Sequence, residues 1–269
     1  MYKAGFILLT VITVFITGCK KDEPRPPGDP NDNKLLRSIE WSNGVKASMQ
    51  YNGNYNLSKI IYTHGNITGA TVINWQGSKV KEMFDDRSLF KNSYYYSRDR
   101  ITHYINSFKA GTSSNSFKME YTYNADGYVA VLKYFSTTEA GTTLKTTTNY
   151  EYNAAGDLVK ATTLTPDITI IHTIVGYSEP ADFDPLIFVE TGLFENYTIF
   201  NLPVMSQLKK YPVKITRAVK AGNDPLFIDK IDENTCEITG KRINKMNTKI
   251  IFPATPDYNL SITGTFKYE

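Results

Sequence analysis

YEYNAAGDLVK, Tyr150 to Lys160, rewrites with small changes what the chain has already spelled at Glu120 to Tyr134, EYTYNADGYVAVLKY. Tyr150 and Tyr152 stand two apart, and in a strand residues at that spacing project from one face. Asn153-Ala154-Ala155-Gly156 suits a type I turn, with Asn favoured first and Gly supplying the positive φ that closes a hairpin. Leu158-Val159 opens the return strand. Tyr121, Tyr123, Asn124-Ala125-Asp126-Gly127 and Val129 reproduce the arrangement, and Met49-Gln50-Tyr51, Asn52-Gly53-Asn54 and Leu57 give a looser version.

Two more degenerate versions lie between these. Ile73-Asn74-Trp75 leads through Gln76-Gly77-Ser78 to Val80, and Tyr94-Tyr95-Tyr96 through Ser97-Arg98-Asp99 to Ile101. The anchoring aromatics are Tyr51, Trp75, Tyr96, Tyr123 and Tyr152, spaced 24, 21, 27 and 29 residues apart by subtraction of their numbers. Each interval holds two strands and two turns, and a lone hairpin is too small to be stable, so the hairpins must pair in series. The pattern predicts a mainly β protein: a long antiparallel meander curled into a trough or partial barrel. A twisted sheet of that many strands does not stay flat and open.

Asp184 to Lys210 breaks the pattern. Asp184 suits a helix cap with Pro185 at the first position, and Leu186, Val189, Leu193 and Tyr197 recur near helical spacing. A second short helical turn is expected from Val204 to Leu208. The expectation is a short helical insert against the concave face, followed from Pro212 by closing strands.

After each turn the apolar residues fall three apart: Leu57 and Ile60, Val129 and Leu132, Leu158 and Ala161. An odd interval switches face unless a bulge intervenes. Lipid-facing strands alternate strictly, and segments such as KTTTNYEY are too polar for hydrocarbon, so a membrane pore is not expected.

The N-terminus, MYKAGFILLTVITVFITGCKKDE, has one early lysine and an uncharged run from Ala4 to Ile16, too short to span a bilayer that needs about twenty residues. Ile16-Thr17-Gly18-Cys19 resembles the lipobox of bacterial lipoproteins. That resemblance implies a signal peptide at 1–18, cleavage after Gly18 and lipidation of Cys19, anchoring the chain in the outer membrane. Lys20-Lys21-Asp22-Glu23 and the run PRPPGDPNDN read as a charged, proline-stiffened tether over 19–34. The charged tract resembles surface-export signals of some Gram-negative lipoproteins, with a periplasm-facing domain as the alternative. One β domain is expected over 35–269, with hairpin repeats at 35–178, the insert at 179–211 and closing strands at 212–269.

The repeats resemble the YD units of Rhs-type proteins. Over most of the mature chain, the lipobox, the Tyr-Asn-x-x-Gly hairpins, NLPVMSQLKKYPVKI and the terminal TFKYE resemble a family of bacterial lipoprotein domains of unknown function with a porin-like fold. The resemblance implies a porin-like β architecture.

Chemistry is sparse. A net charge of +3 over 269 residues gives no basic face for nucleic acid. His64, His103 and His172 lack metal-ligand spacing, Asp85-Asp86 and Asp182/Asp184 are acidic pairs of which Asp182 and Asp184 read as loop and cap residues, and Cys236 reads as a small core residue. No cofactor motif and no nucleophile elbow is present, so no enzyme, metal or cofactor is expected. The aromatic series Tyr51, Trp75, Tyr96, Tyr123 and Tyr152 is the candidate binding surface for a glycan or a surface protein, unless it packs the sheet instead. The alternatives are a carrier of an apolar ligand between sheet and insert, and a hydrolase.

Overall fold

The computed structural model describes residues 35–108, 115–190 and 199–269, so the expected signal peptide, Cys19 and the expected tether lie outside the described residues. Sixteen antiparallel strands follow one another around a closed ring. The first eight are β1 (Leu36–Trp41), β2 (Val45–Tyr51), β3 (Leu57–His64), β4 (Ile67–Gln76), β5 (Lys79–Asp85), β6 (Phe90–Ser97), β7 (Arg100–Phe108) and β8 (Ser116–Tyr123). The rest are β9 (Val129–Thr138), β10 (Gly141–Tyr152), β11 (Leu158–Leu164), β12 (Ile168–Pro180), β13 (Lys210–Ala221), β14 (Phe227–Thr239), β15 (Arg242–Ile251) and β16 (Leu260–Tyr268). The order is a pure meander, every strand pairing with its sequence neighbours, and β1 pairs with β16 to close it.

This closure corrects the expected trough. Leu36 lies opposite Tyr268, Ile39 opposite Phe266 and Trp41 opposite Gly264. Gly264 leaves room for the indole, since a Cβ there would come within 3.2 Å of Trp41 Nε1. Twist accumulated over so many strands brings the first and last edges together, and pairing them removes the open edges a trough would keep. The expected helical insert is corrected as well. Among the described residues, helix in the β12–β13 connection is limited to α1 (Pro185–Glu190) and α2 (Leu202–Met205). Leu193 and Tyr197, on which a longer helix depended, lie outside the described residues.

The three-residue intervals resolve into bulges. The register shifts at Gln50/Tyr51, Asn74/Trp75, Tyr95/Tyr96, Thr122/Tyr123 and Glu151/Tyr152, one shift beside each anchoring aromatic. The extra residue returns both apolar groups to one face. Leu57, Ile60, Val129, Leu132, Leu158 and Ala161 are all at most 1% exposed. The Trp75 and Tyr96 hairpins share the device although they lack the Asn-x-x-Gly turn.

The barrel is apolar inside and polar outside. The inward residues form one core cluster that also contains Leu186, Ile187 and Phe188 of α1 and Val204 and Met205 of α2. Phe188 stacks on Phe266 with centroids 6.1 Å apart. Gln207 ties the connection to the Tyr123 hairpin: its Nε2 donates to Gly127 O at 2.8 Å, and its Oε1 accepts from Val129 N at 3.1 Å. A polar layer sits within the barrel on the β12–β15 side. Lys230, 1% exposed, lies 3.3 Å from Asp232, Arg217 makes a two-pronged bond to Asp229, and Thr248 donates to Asn234.

Outward positions are dominated by Lys, Glu, Thr, Ser and Asn. Cross-strand ion pairs cross the wall at Lys46–Glu40, Lys91–Glu82, Lys160–Glu151, Lys214–Glu233 and Lys245–Glu237. Outward apolar residues are interspersed: Ile105 sits between Ser93 and Lys118, and Val131 between Thr122 and Asn149. Surface pairs of this kind add little stability.

Candidate functional site

The five predicted aromatics come together, all at the barrel end that holds the Asn-x-x-Gly turns. They are half-buried and point inward. Each donates across its neighbouring hairpin. Tyr51 Oη bonds Leu36 O at 2.9 Å, Trp75 Nε1 bonds Leu57 O at 2.7 Å, and Tyr96 Oη bonds Val80 O at 2.9 Å. Tyr123 bonds Ile101 O at 2.7 Å, and Tyr152 bonds Val129 O at 3.0 Å. Tyr177 and Tyr268, which the repeat pattern missed, do the same to Leu158 O and Ile243 O. From Trp75 onward the acceptor is the first or second residue of the preceding return strand, beside a bulge that has disturbed the local ladder.

The ring faces are covered too. Arg37, Lys79, Arg100 and Arg242 lie 5.4 to 5.7 Å from the centroids of Tyr51, Tyr96, Tyr123 and Tyr268. Each cation is the immediate chain neighbour of the accepting residue. Tyr128 takes the equivalent place over Tyr152, with centroids 4.8 Å apart. The turn glycines leave space for these groups: a Cβ at Gly127 would fall 2.6 Å from Arg100, and one at Gly156 would fall 2.1 Å from Tyr128 Oη. Burial pushes the phenols of Tyr96, Tyr123 and Tyr268 up to about 12. These aromatics lock hairpin to hairpin through their polar atoms, and Tyr51, Tyr96, Tyr123, Tyr152 and Tyr268 through a covered ring face as well.

The opposite end differs. Among the described residues, fifteen large apolar side chains are exposed; Tyr55, Tyr95 and Val175 lie away from the far end, and the other twelve flank its turns, among them Ile67, Leu89, Leu144, Leu226 and Tyr258. Several point into the lumen. Phe90 and Asn92 share a face with core residue Tyr94, and Phe117 shares one with core residue Tyr121. Phe90 meets Phe108 edge-on at 5.4 Å, and Phe117 stacks on Tyr134 at 5.6 Å and 16°. Between the two pairs, Asn106 Nδ2 donates to Asn92 Oδ1 at 2.8 Å. Phe90 and Phe117 are each 40% exposed, so this inner surface is open to solvent at the mouth. The available signal was an apolar residue hard against a turn, as in Leu226-Phe227-Ile228 and Leu89-Phe90, where turn-flanking positions are ordinarily polar.

The other sequence candidates take structural places. Burial pushes the Cys236 thiol up to about 11, away from the reactive thiolate. His103 stacks on Tyr95 on the outer wall at 4.5 Å, and His172 is buried inside. Asp85 accepts from the backbone of Arg87 and Ser88, Asp86 from Ala70 N, and Asp184 from Leu186 N. Among the described residues no group of three or more His, Cys, Asp or Glu is placed to hold a metal ion.

No protein-family model matches the sequence, and no curated protein matches it. Solved structures do match. A porin-like protein from Bacteroides vulgatus ATCC 8482 aligns with a TM-score of 0.57 at 9% identity, over 88% of this chain and 99% of that one. A porin-like protein from Bacteroides uniformis ATCC 8492 aligns at 0.55 and 11% identity, over 87% and 96%. At such identities the likeness concerns architecture: this chain has a porin-like barrel fold.

Proposed function

We propose that this protein is a lipid-anchored, non-enzymatic barrel of the bacterial outer membrane, displayed at the cell surface, standing in water and binding a glycan or protein partner through its far end. The binding assignment rests on the twelve exposed apolar residues gathered at that end, on a wall otherwise rich in ion pairs and hydroxyls. Contiguous exposed apolar surface on a protein in water marks an interaction site. Among the described residues the near end gathers no comparable set of exposed apolar side chains, and its inward aromatics donate hydrogen bonds to backbone carbonyls. The N-terminal resemblance supports the anchor: Gly18-Cys19 followed by Lys20-Lys21-Asp22-Glu23. Several acyl chains on one cysteine hold a barrel at a bilayer that its wall does not enter.

The carrier alternative is less favoured. The space between sheet and connection is filled, with Ile187, Phe188, Ile199, Val204 and Met205 each at most 2% exposed.

Protease treatment of intact cells, with labelled acyl-chain incorporation alongside, tests this reading. Surface display predicts cleavage of the barrel on intact cells, and lipidation predicts label on the wild type and none on Cys19→Ala. Full protection on intact cells with digestion after permeabilisation overturns display, and label on Cys19→Ala overturns the anchor.

A further inference from the structure

The lumen mouth between β6 and β9 carries a chemistry that its structural role leaves unexplained. Aromatic side chains ordinarily cover one another or fill a core, yet Phe90 and Phe117 present 40% of their surface to solvent on the inner face of the barrel. In the Phe117–Tyr134 stack the two ring planes are tilted by only 16°, so the pair presents nearly parallel flat faces, and Phe90 and Phe108 form a second wall at 79° to each other. The Asn92–Asn106 amide pair lies between them, on strands held in register by the pairings Phe90↔Phe108, Asn92↔Asn106 and Asn106↔Phe117. One amide–amide bond leaves donor hydrogens on Asn92 and acceptor capacity on Asn106.

We propose that this mouth binds a sugar ring of a neutral glycan, stacked on the Phe117–Tyr134 platform with its hydroxyls on the Asn92 and Asn106 amides. The proposal rests on the far end being the binding end and names the ligand it takes. A pyranose has C–H bonds gathered on one face and hydroxyls around its edge, so it needs an apolar plate and adjacent donors and acceptors together. A purely aliphatic ligand would cover the remaining Asn92 donors and Asn106 acceptor without pairing them, which disfavours it. A charged ligand finds no opposite charge among these inner side chains, which are Phe, Tyr and Asn. Rigid aromatics also give contact area with little loss of side-chain entropy.

The test uses the mature chain with Cys19→Ser, titrated calorimetrically with neutral tetrasaccharides of gluco, galacto, manno and N-acetylglucosamine configuration. Saturable binding to at least one is expected, weakened at least tenfold by Phe117→Leu and by Asn106→Ala and unchanged by Val175→Thr on the outer wall. Thermal unfolding of each variant shows that the barrel is intact, and Phe117→Tyr, which keeps the plate, retains binding. Absence of saturable binding across the panel, or binding indifferent to Phe117→Leu and Asn106→Ala, overturns the proposal. Failure here with cleavage still seen on intact cells removes the sugar alone. Protection on intact cells removes surface display and leaves the titration standing.

Discussion

Tyr152 donates its hydroxyl to the carbonyl of Val129, 23 positions earlier in the chain, across 3.0 Å, while Tyr128, the residue before that carbonyl, stacks on the Tyr152 ring. The phenol therefore reads both the bulge and the residue leading into it, and one hairpin is locked to the next. Tyr152→Phe keeps the ring and loses the bond, and should cost about 1 kcal/mol. Tyr152→Ala also empties the packing site and should cost about 3–5 kcal/mol. Urea unfolding of the two variants gives the ratio. Equal costs would mean that the hydroxyl, not the ring, dominates.

The turn glycine serves two needs at once. Gly156 has φ +81°, and its missing Cβ leaves the space that Tyr128 Oη enters. Gly156→Ala should destabilise by about 1–2 kcal/mol from backbone conformation alone, with a further loss as Tyr128 is displaced. Gly77 also has positive φ (+63°) but no neighbour within 4 Å. Gly77→Ala should show the backbone cost only, and thermal unfolding of the pair separates the two contributions.

Alkaline pH should unfold the barrel cooperatively. Buried phenols in the folded protein reach about 12 at Tyr96, Tyr123 and Tyr268, against an ordinary 10.0 in the unfolded chain. Between those values the unfolded chain releases protons that the folded one keeps, so stability is intact below pH 10 and falls as pH rises toward 12. The urea midpoint should drop through that window, with phenolate absorbance rising in step with loss of β signal. Phenolate appearing fully before any unfolding would contradict the burial of these rings.

Inside the barrel Lys230 and Asp232 are both at most 9% exposed. Removing one partner weakens the pairing of a buried charge, and Asp232→Ala should cost about 3–5 kcal/mol. Replacing both, Lys230→Met with Asp232→Leu, should restore most of that and is expected to fall between neutral and about 4 kcal/mol more stable than wild type. Chemical unfolding of the single and double variants measures the difference.

Much of the hairpin series was legible. Tyr at i and i+2 with Asn-x-x-Gly marks a strand end and its turn, and the three-residue apolar step left a bulge or apolar groups on both faces open, of which the structure takes the bulge. Closure was not legible. It depends on Leu36 meeting Tyr268 across the whole chain, and on twist summed over every strand, neither of which leaves a local mark. The use of the aromatics was half visible: their shared face followed from spacing, but their acceptors are backbone carbonyls with no residue signature. Lys79, Arg100 and Arg242, each opening a return strand, were the readable hint that these ring faces are covered. The far-end aromatics were passed over because Phe90 and Phe117 belong to no repeat and gain meaning only when β6 to β9 are curved into a mouth.

The account stands on the radial arrangement, charge and hydroxyl outward and hydrocarbon inward. Its most direct test is the behaviour of the mature chain with Cys19→Ser, produced without detergent, by sedimentation and circular dichroism and by addition to preformed lipid vesicles. A monomeric, β-rich particle that stays in the aqueous phase and leaves the vesicles impermeable to ions is the predicted result. Aggregation relieved only by detergent, followed by vesicle insertion and ion conductance, would place the wall in lipid and contradict the account.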